Sequence, residues 1–216
     1  MVIETRAASG ARRRMKPDER RAQLLRCALA EFARRGIRRA AHADVAKLAG
    51  VAVSTVFLYF PTREALRDAV LDEVERFYLD LAGQVHASGA PAPEVLSEHG
   101  RRFRASIESH PDHAYILLNW GANVRSSVWP RYLAFVGQMV AVHQATIERG
   151  IREGNVAASV DPEAAARILI GYANMSAQLK LANFDAERTD FFAATIVSSI
   201  LRGPAAPGEE PERIAS

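Results

Sequence analysis

Residues 42–60, HADVAKLAGVAVSTVFLYF, constrain the fold of this chain more than any other stretch. They read as two short helices joined by a tight turn at Gly50. In the second helix Val53, Val56, Phe57 and Phe60 recur at i, i+3, i+4 and i+7, the spacing of a face withdrawn from water. Ser54, Thr55, Leu58 and Tyr59 fall on the other side. A helix with one dry and one hydroxyl-bearing face, set behind a short helix and a glycine turn, fits the second helix of a helix-turn-helix. In such a unit that helix enters the DNA major groove.

Charge supports this reading. Residues 1–63 hold 14 basic and 5 acidic side chains, whereas residues 64–216 hold 14 basic and 20 acidic ones. A basic first third on an acidic remainder predicts an N-terminal module facing a polyanion. The 216 residues suffice for one large or two modest cores. No apolar run reaches the ~18–20 residues of a bilayer span, and no apolar segment follows the N-terminal arginines as a secretory signal requires. The single cysteine, Cys27, excludes an intrachain disulfide. These features predict a cytoplasmic protein without a membrane partner.

The rest of the chain reads as helix throughout, with no alternating run and no internal repeat. Residues 1–15 form a basic arm ending in Arg12, Arg13 and Arg14, either solvated or laid along phosphates or a minor groove. Asp18–Arg35 is the first helix, with Leu24, Leu25, Ala28, Leu29 and Phe32 as its stripe and Gly36 as its stop. A fourth helix follows Pro61, capped by Thr62, and runs to about Gly83. Residues 86–93 (HASGAPAP) read as loop. Further helices are expected over 95–109, 111–120, 129–150, about 162–183 and about 187–201, with Asp161-Pro162-Glu163 as a helix start. The expectation is all-α: a helix-turn-helix domain over 16–63, a larger helical domain over 64–203 and a frayed tail over 204–216.

Val45, Ala46, Ala49, Gly50, Val51, Thr55, Tyr59, Phe60, Arg63 and Leu66 resemble the motif of the TetR family of dimeric transcriptional regulators. FARRGI (32–37), HAD (42–44), TVF (55–57), YFPTRE (59–64), VWP (128–130) and IERG (147–150) are similar, in matching order, to its LuxR/HapR/SmcR quorum-sensing branch. The resemblance implies a homodimer on a pseudo-palindromic operator in double-stranded DNA, read by the third helix and an arginine-bearing arm. Carried over by position, the DNA contacts are Arg12, Arg13, Arg14, Ser54, Thr55, Leu58 and Tyr59. Lys47 and Arg63 are candidate phosphate contacts; His42 either reaches a phosphate or packs at its helix start. Tyr59 is either a phosphate contact or a half-buried core aromatic. Two departures stand out. Leu58 replaces an asparagine common in the branch, so an amide that could read adenine is exchanged for a side chain limited to apolar contacts. Ala52 replaces the family's capping serine.

In the helical domain Phe77, Phe103, Trp120, Phe135, Val136, Met139 and Val140, with Tyr115, are either core or the lining of a pocket for a small apolar ligand. The resemblance places Trp120 and Phe77 at pocket positions, and Val136 where the branch tends to have asparagine. Ala165, Ile168, Leu169, Tyr172 and Ala173 (with Ala166) offer a small-residue surface for dimer packing. No cofactor or metal is expected: His110 and His113 flank a helix start without a cysteine partner. No phosphate loop or nucleophile elbow appears, so an enzyme is not expected. A ligand-independent regulator with a filled core, and a helical enzyme with a basic face, are the alternatives.

Overall fold

The computed structural model describes residues 15–203. Among them the chain forms nine α-helices and no strand: α1 (Pro17–Arg35), α2 (His42–Ala49), α3 (Val53–Tyr59), α4 (Arg63–His86), α5 (Ala92–Ser109), α6 (Pro111–Ala122), α7 (Trp129–Arg152), α8 (Pro162–Leu181) and α9 (Ala186–Arg202). The all-α expectation holds. The Arg12–Arg14 arm and the tail beyond 203 lie outside the described residues.

Local signals set the helix starts. The Thr62 hydroxyl accepts from the Ala65 N–H at 3.0 Å, and the Asp161 carboxylate from the Ala164 N–H at 2.9 Å. Each satisfies a backbone donor that has no partner inside its helix. Two boundaries differ from expectation. α4 continues to His86, and α5 begins at Ala92, so the loop between them shrinks to 87–91. Pro91 and Pro93 do not break α5, because a helix's first turn needs no N–H from them.

One core runs unbroken from the helix-turn-helix into the body. Leu24, Phe32, Val45, Val56 and Phe60 share it with Leu66, Val70, Tyr78, Ile116 and Trp120. A second core joins α5, α7, α8 and α9 through Leu96, Val140, Ile147, Ala166, Leu169 and Leu201. α1 packs on α2, α4 and α6, so the helix-turn-helix unit rests on the same helices that enclose the body. Asn119 of α6 ties the two together: its Oδ1 accepts the Ile37 N–H at 3.3 Å, directly after α1. Arg131 of α7 does the same for α4, donating to Asp72 at 2.5 Å and Glu75 at 2.6 Å.

Candidate nucleic-acid interface and helical-domain cavity

Helix α3 has seven residues, too few to be stable by itself. Gly50 turns the chain in the left-handed region (φ 65°, ψ 38°), and no atom would meet a Cβ there, so glycine is favoured by backbone conformation alone. Ala52 supplies no side-chain cap. α3 is therefore held by packing: Val56 and Phe60 are fully buried, worth about 1.5–3 kcal/mol each.

The expected apolar stripe is only half buried. Val53 and Phe57 are exposed, because the buried face of so short a helix needs only Val56 and the following Phe60. Phe57 lies over the His42 ring, centroids 4.1 Å apart and planes 5° from parallel. His42 corrects the expectation of a phosphate contact. It is buried, and its Nε2 donates to the Phe60 carbonyl at 2.7 Å, closing the end of α3 onto the start of α2.

The opposite side of α3 presents the expected group. Ser54 and Leu58 are exposed, Leu58 at 77 %, and Thr55 and Tyr59 are half-buried. Tyr59 packs against the first core. Lys47 is exposed on α2. Arg63 is exposed too, but its guanidinium is engaged: Nε donates to the Ala40 carbonyl at 3.2 Å and Nη2 to the Arg38 carbonyl. Its first role is thus to hold the α1–α2 loop. Sequence reading missed Arg38 and Arg39 in that loop. Both are exposed and neither forms an ion pair among the described residues. Their pairing in the sequence beside the helix-turn-helix was the available signal.

The helical domain encloses a cavity of about 300 Å³ between α4, α5, α7, α8 and α9. Phe103, Phe135, Val136 and Met139 line it. Phe77, Trp120, Val140 and Tyr115 do not. Trp120 is fully buried in the first core, where its indole N–H donates to the Val128 carbonyl at 2.9 Å. Val140 belongs to the second core. Phe77 turns away to pack on His110 and His113, each at 4.7 Å between centroids, and Tyr115 is exposed.

The cavity has polar points that the pattern did not reveal. Tyr78 lines it while almost wholly buried, and its hydroxyl has no hydrogen-bond partner among the described residues. Burial pushes this phenol up to about 12, against a lowering pull from the Ser106 side chain; the Ser106 hydroxyl itself donates to the Phe103 carbonyl at 2.6 Å. Arg104, paired with Asp190 at 2.8 Å, stands on another wall.

The expected dimer surface needs a further correction. Ala165, Ala166 and Leu169 face inward into the second core, and Tyr172 and Ala173 line the cavity. Of that group Ile168 alone is strongly exposed, at 55 %. The outward face of α8 is instead Ala164, Ile168, Gly171, Met175 and Gln178. Phe191 of α9 is also exposed, at 67 %.

Residues 24–70 match the bacterial regulatory proteins of the tetR family. The HTH-type transcriptional regulator LuxR of Vibrio harveyi is 32% identical over 184 residues, spanning 85% of this chain and 90% of LuxR. The chain belongs to the TetR family. It is a DNA-binding transcriptional regulator of the LuxR-like kind. Solved TetR-type structures share the fold. A TetR-like regulator from Rhodococcus sp. RHA1 superposes with TM-score 0.75 at 15% identity, covering 88% of this chain and 100% of that one. FadR of Bacillus subtilis, in complex with stearoyl-CoA, gives 0.68 at 16%, covering 85% and 99%. The ketosteroid regulator KstR2 of Mycobacterium tuberculosis gives 0.68 at 19%, covering 86% and 97%. Among the described residues of this TetR-family chain no helix is long and apolar enough to cross a membrane.

Proposed function

We propose that this regulator binds a pseudo-palindromic operator as a homodimer, reads bases with α3, and is modulated by a small, mainly apolar ligand in its cavity, as a quorum-sensing-type regulator. The observation that carries the reading is the face of α3. Ser54 and Leu58 are exposed and Thr55 and Tyr59 half-exposed on a helix pinned from behind by Val56 and Phe60. Leu58 is suited to a thymine methyl, Thr55 to a base edge or phosphate, and the Tyr59 hydroxyl to a phosphate. Lys47, the remaining N–H groups of Arg63 and the Arg12–Arg14 arm supply the sequence-independent attraction.

Selection from a random duplex library, followed by anisotropy titration at several salt concentrations, tests this. The expected result is an enriched two-fold site whose affinity falls steeply with salt. No enrichment at low salt overturns the reading.

One α3 contacts few base pairs, so two copies are required, with half-sites about one helical turn or a multiple apart. The outward seam of α8, with Phe191 of α9, supports a two-fold interface: Ala164 and Gly171 permit close approach, and Ile168 and Met175 fill the space between. The double variant Ile168→Arg/Met175→Arg is expected to sediment as a folded monomer. Its operator affinity should drop on the order of 100-fold or more, since each half-site is then held alone. A dimer of unchanged affinity removes α8 from the interface.

The cavity, about 300 Å³ with Phe103, Phe135 and Met139 on its walls, supports a ligand-modulated regulator over one with a filled core. The stearoyl-CoA of FadR is a precedent for a long apolar ligand on this fold. Tyr78→Phe removes a buried donor without a partner, a desolvation cost of about 1–3 kcal/mol. The melting temperature of the ligand-free protein is expected to rise by roughly 2 °C or more. A fall in melting temperature would mean that the hydroxyl is already satisfied.

A further inference from the structure

Three of the six histidines meet between helices: His86 at the end of α4, His99 on α5 and His143 on α7. One nitrogen from each ring lies within 4.8 Å of the others, and ring centroids are 4.7–5.1 Å apart. His99 and His143 are buried and both line the cavity.

One self-consistent set of hydrogen bonds leaves all three rings neutral. His143 Nδ1 donates to the Met139 carbonyl at 2.8 Å, leaving Nε2 as its lone pair. The Thr146 hydroxyl donates to the Val142 carbonyl at 3.3 Å, so its oxygen accepts from His86 Nδ1 at 2.6 Å. His86 Nε2 is then a lone pair, and it accepts from His99 Nδ1 at 2.9 Å. All three rings are held neutral, the state in which imidazole binds a metal. Burial lowers all three, His86 to about 3 and His99 to about 2.

We propose that His86, His99 and His143 form a three-histidine site for a divalent transition metal of the zinc class, its fourth position open to the cavity. Outer-shell partners are in place: Met139 orients His143 and Thr146 orients His86. A tetrahedral ion with bonds of about 2.0–2.1 Å needs its nitrogens about 3.3 Å apart. The His86–His99 pair therefore opens slightly and His143 closes in, both by side-chain rotation. The proton on His99 Nδ1 moves to Nε2, so no net proton is released there. None of the three ligands is anionic, and the nearby Arg149 is engaged by Glu153 at 3.1 Å and the Ala90 carbonyl at 2.8 Å. The open position thus favours hydroxide or an anionic group of a cavity ligand. The ion joins the far end of α4, the helix that begins at the recognition unit, to α5 and α7.

The test uses untagged, full-length protein and Co²⁺, with Zn²⁺ as competitor. The expected result is one Co²⁺ per chain with the intense visible bands of a four-coordinate ion, displaced by Zn²⁺. His143→Gln and His86→Gln should each weaken binding by at least about 100-fold, and Thr146→Val by about tenfold. His113→Gln, away from the cluster, should change nothing. Wild-type protein without those bands overturns the site, as does binding that survives in whichever of His143→Gln and His86→Gln keeps the native circular dichroism.

Discussion

Leu58→Asp is expected to abolish operator binding while leaving the fold intact. Leu58 is 77 % exposed, whereas the packing that holds α3 comes from the buried Val56 and Phe60. The stability cost of an exposed change away from caps and cores is within about 0.5 kcal/mol. On DNA the same position would face base edges between two rows of phosphates. A carboxylate there meets like charge on both sides and can only accept, from cytosine N4–H2 or adenine N6–H2. Affinity should fall more than about 100-fold, the size of effect that several lost phosphate contacts produce. Leu58→Asn separates reading from repulsion: its amide can pair with adenine N6 and N7, so the preferred base should change by about 1–3 kcal/mol while overall affinity is kept. Anisotropy on the selected duplex, with circular dichroism melts as the folding control, measures both. Unchanged affinity of Leu58→Asp would place α3 outside the groove.

The helix-turn-helix was legible because its signals are short-range. The glycine at 50, the Val56–Phe60 anchor and the basic excess sit within a few turns of one another. The same stretch shows where periodicity stops informing. Phe57 satisfies the apolar spacing but is exposed, covered on one face only by His42, and no spacing rule foretells that stacking. On α8 the sequence reading joined Ala165, Ile168, Leu169, Tyr172 and Ala173 into one dimer surface, although neighbouring residues of a helix point about 100° apart. Leu169 and Ala166 took the inner face, and Ile168 was left outside. The cavity was legible in part, since Phe103, Phe135, Val136 and Met139 line it. Trp120 was not, because a large apolar side chain fits core and pocket patterns equally well. The histidine cluster was invisible to spacing: its members are 13 and 44 residues apart and meet only when α4, α5 and α7 pack.

Those histidines also set the response to acid. Burial lowers the pKa of His86, His99, His113 and His143, with further lowering at His86 from His143 and Arg149 and at His113 from His110. In the unfolded chain each returns to about 6.5. Below that pH the unfolded state binds protons that the folded state refuses, so stability falls as pH falls. Their contribution is fully present above pH 6.5 and disappears toward the folded values, about 3 for His86 and about 2 for His99. Each ring that stays neutral costs about 1.36 kcal/mol per pH unit once the pH lies well below 6.5. The carboxylates act elsewhere. Arginine partners hold Glu98 and Glu153 below the usual range, and those of Glu31 outweigh its burial. Their stabilisation is present above about pH 4.5 and is lost only below it. The interval from pH 6.5 to 5 therefore isolates the histidines. Urea unfolding of protein stripped of metal by chelator is expected to show stability dropping by several kcal/mol across it, with a shallower slope in His143→Gln, which has no proton to take up. A flat profile down to pH 5 would mean that the cluster opens to water in the folded chain and protonates there at no cost, and the same openness would argue against a dry cavity behind it.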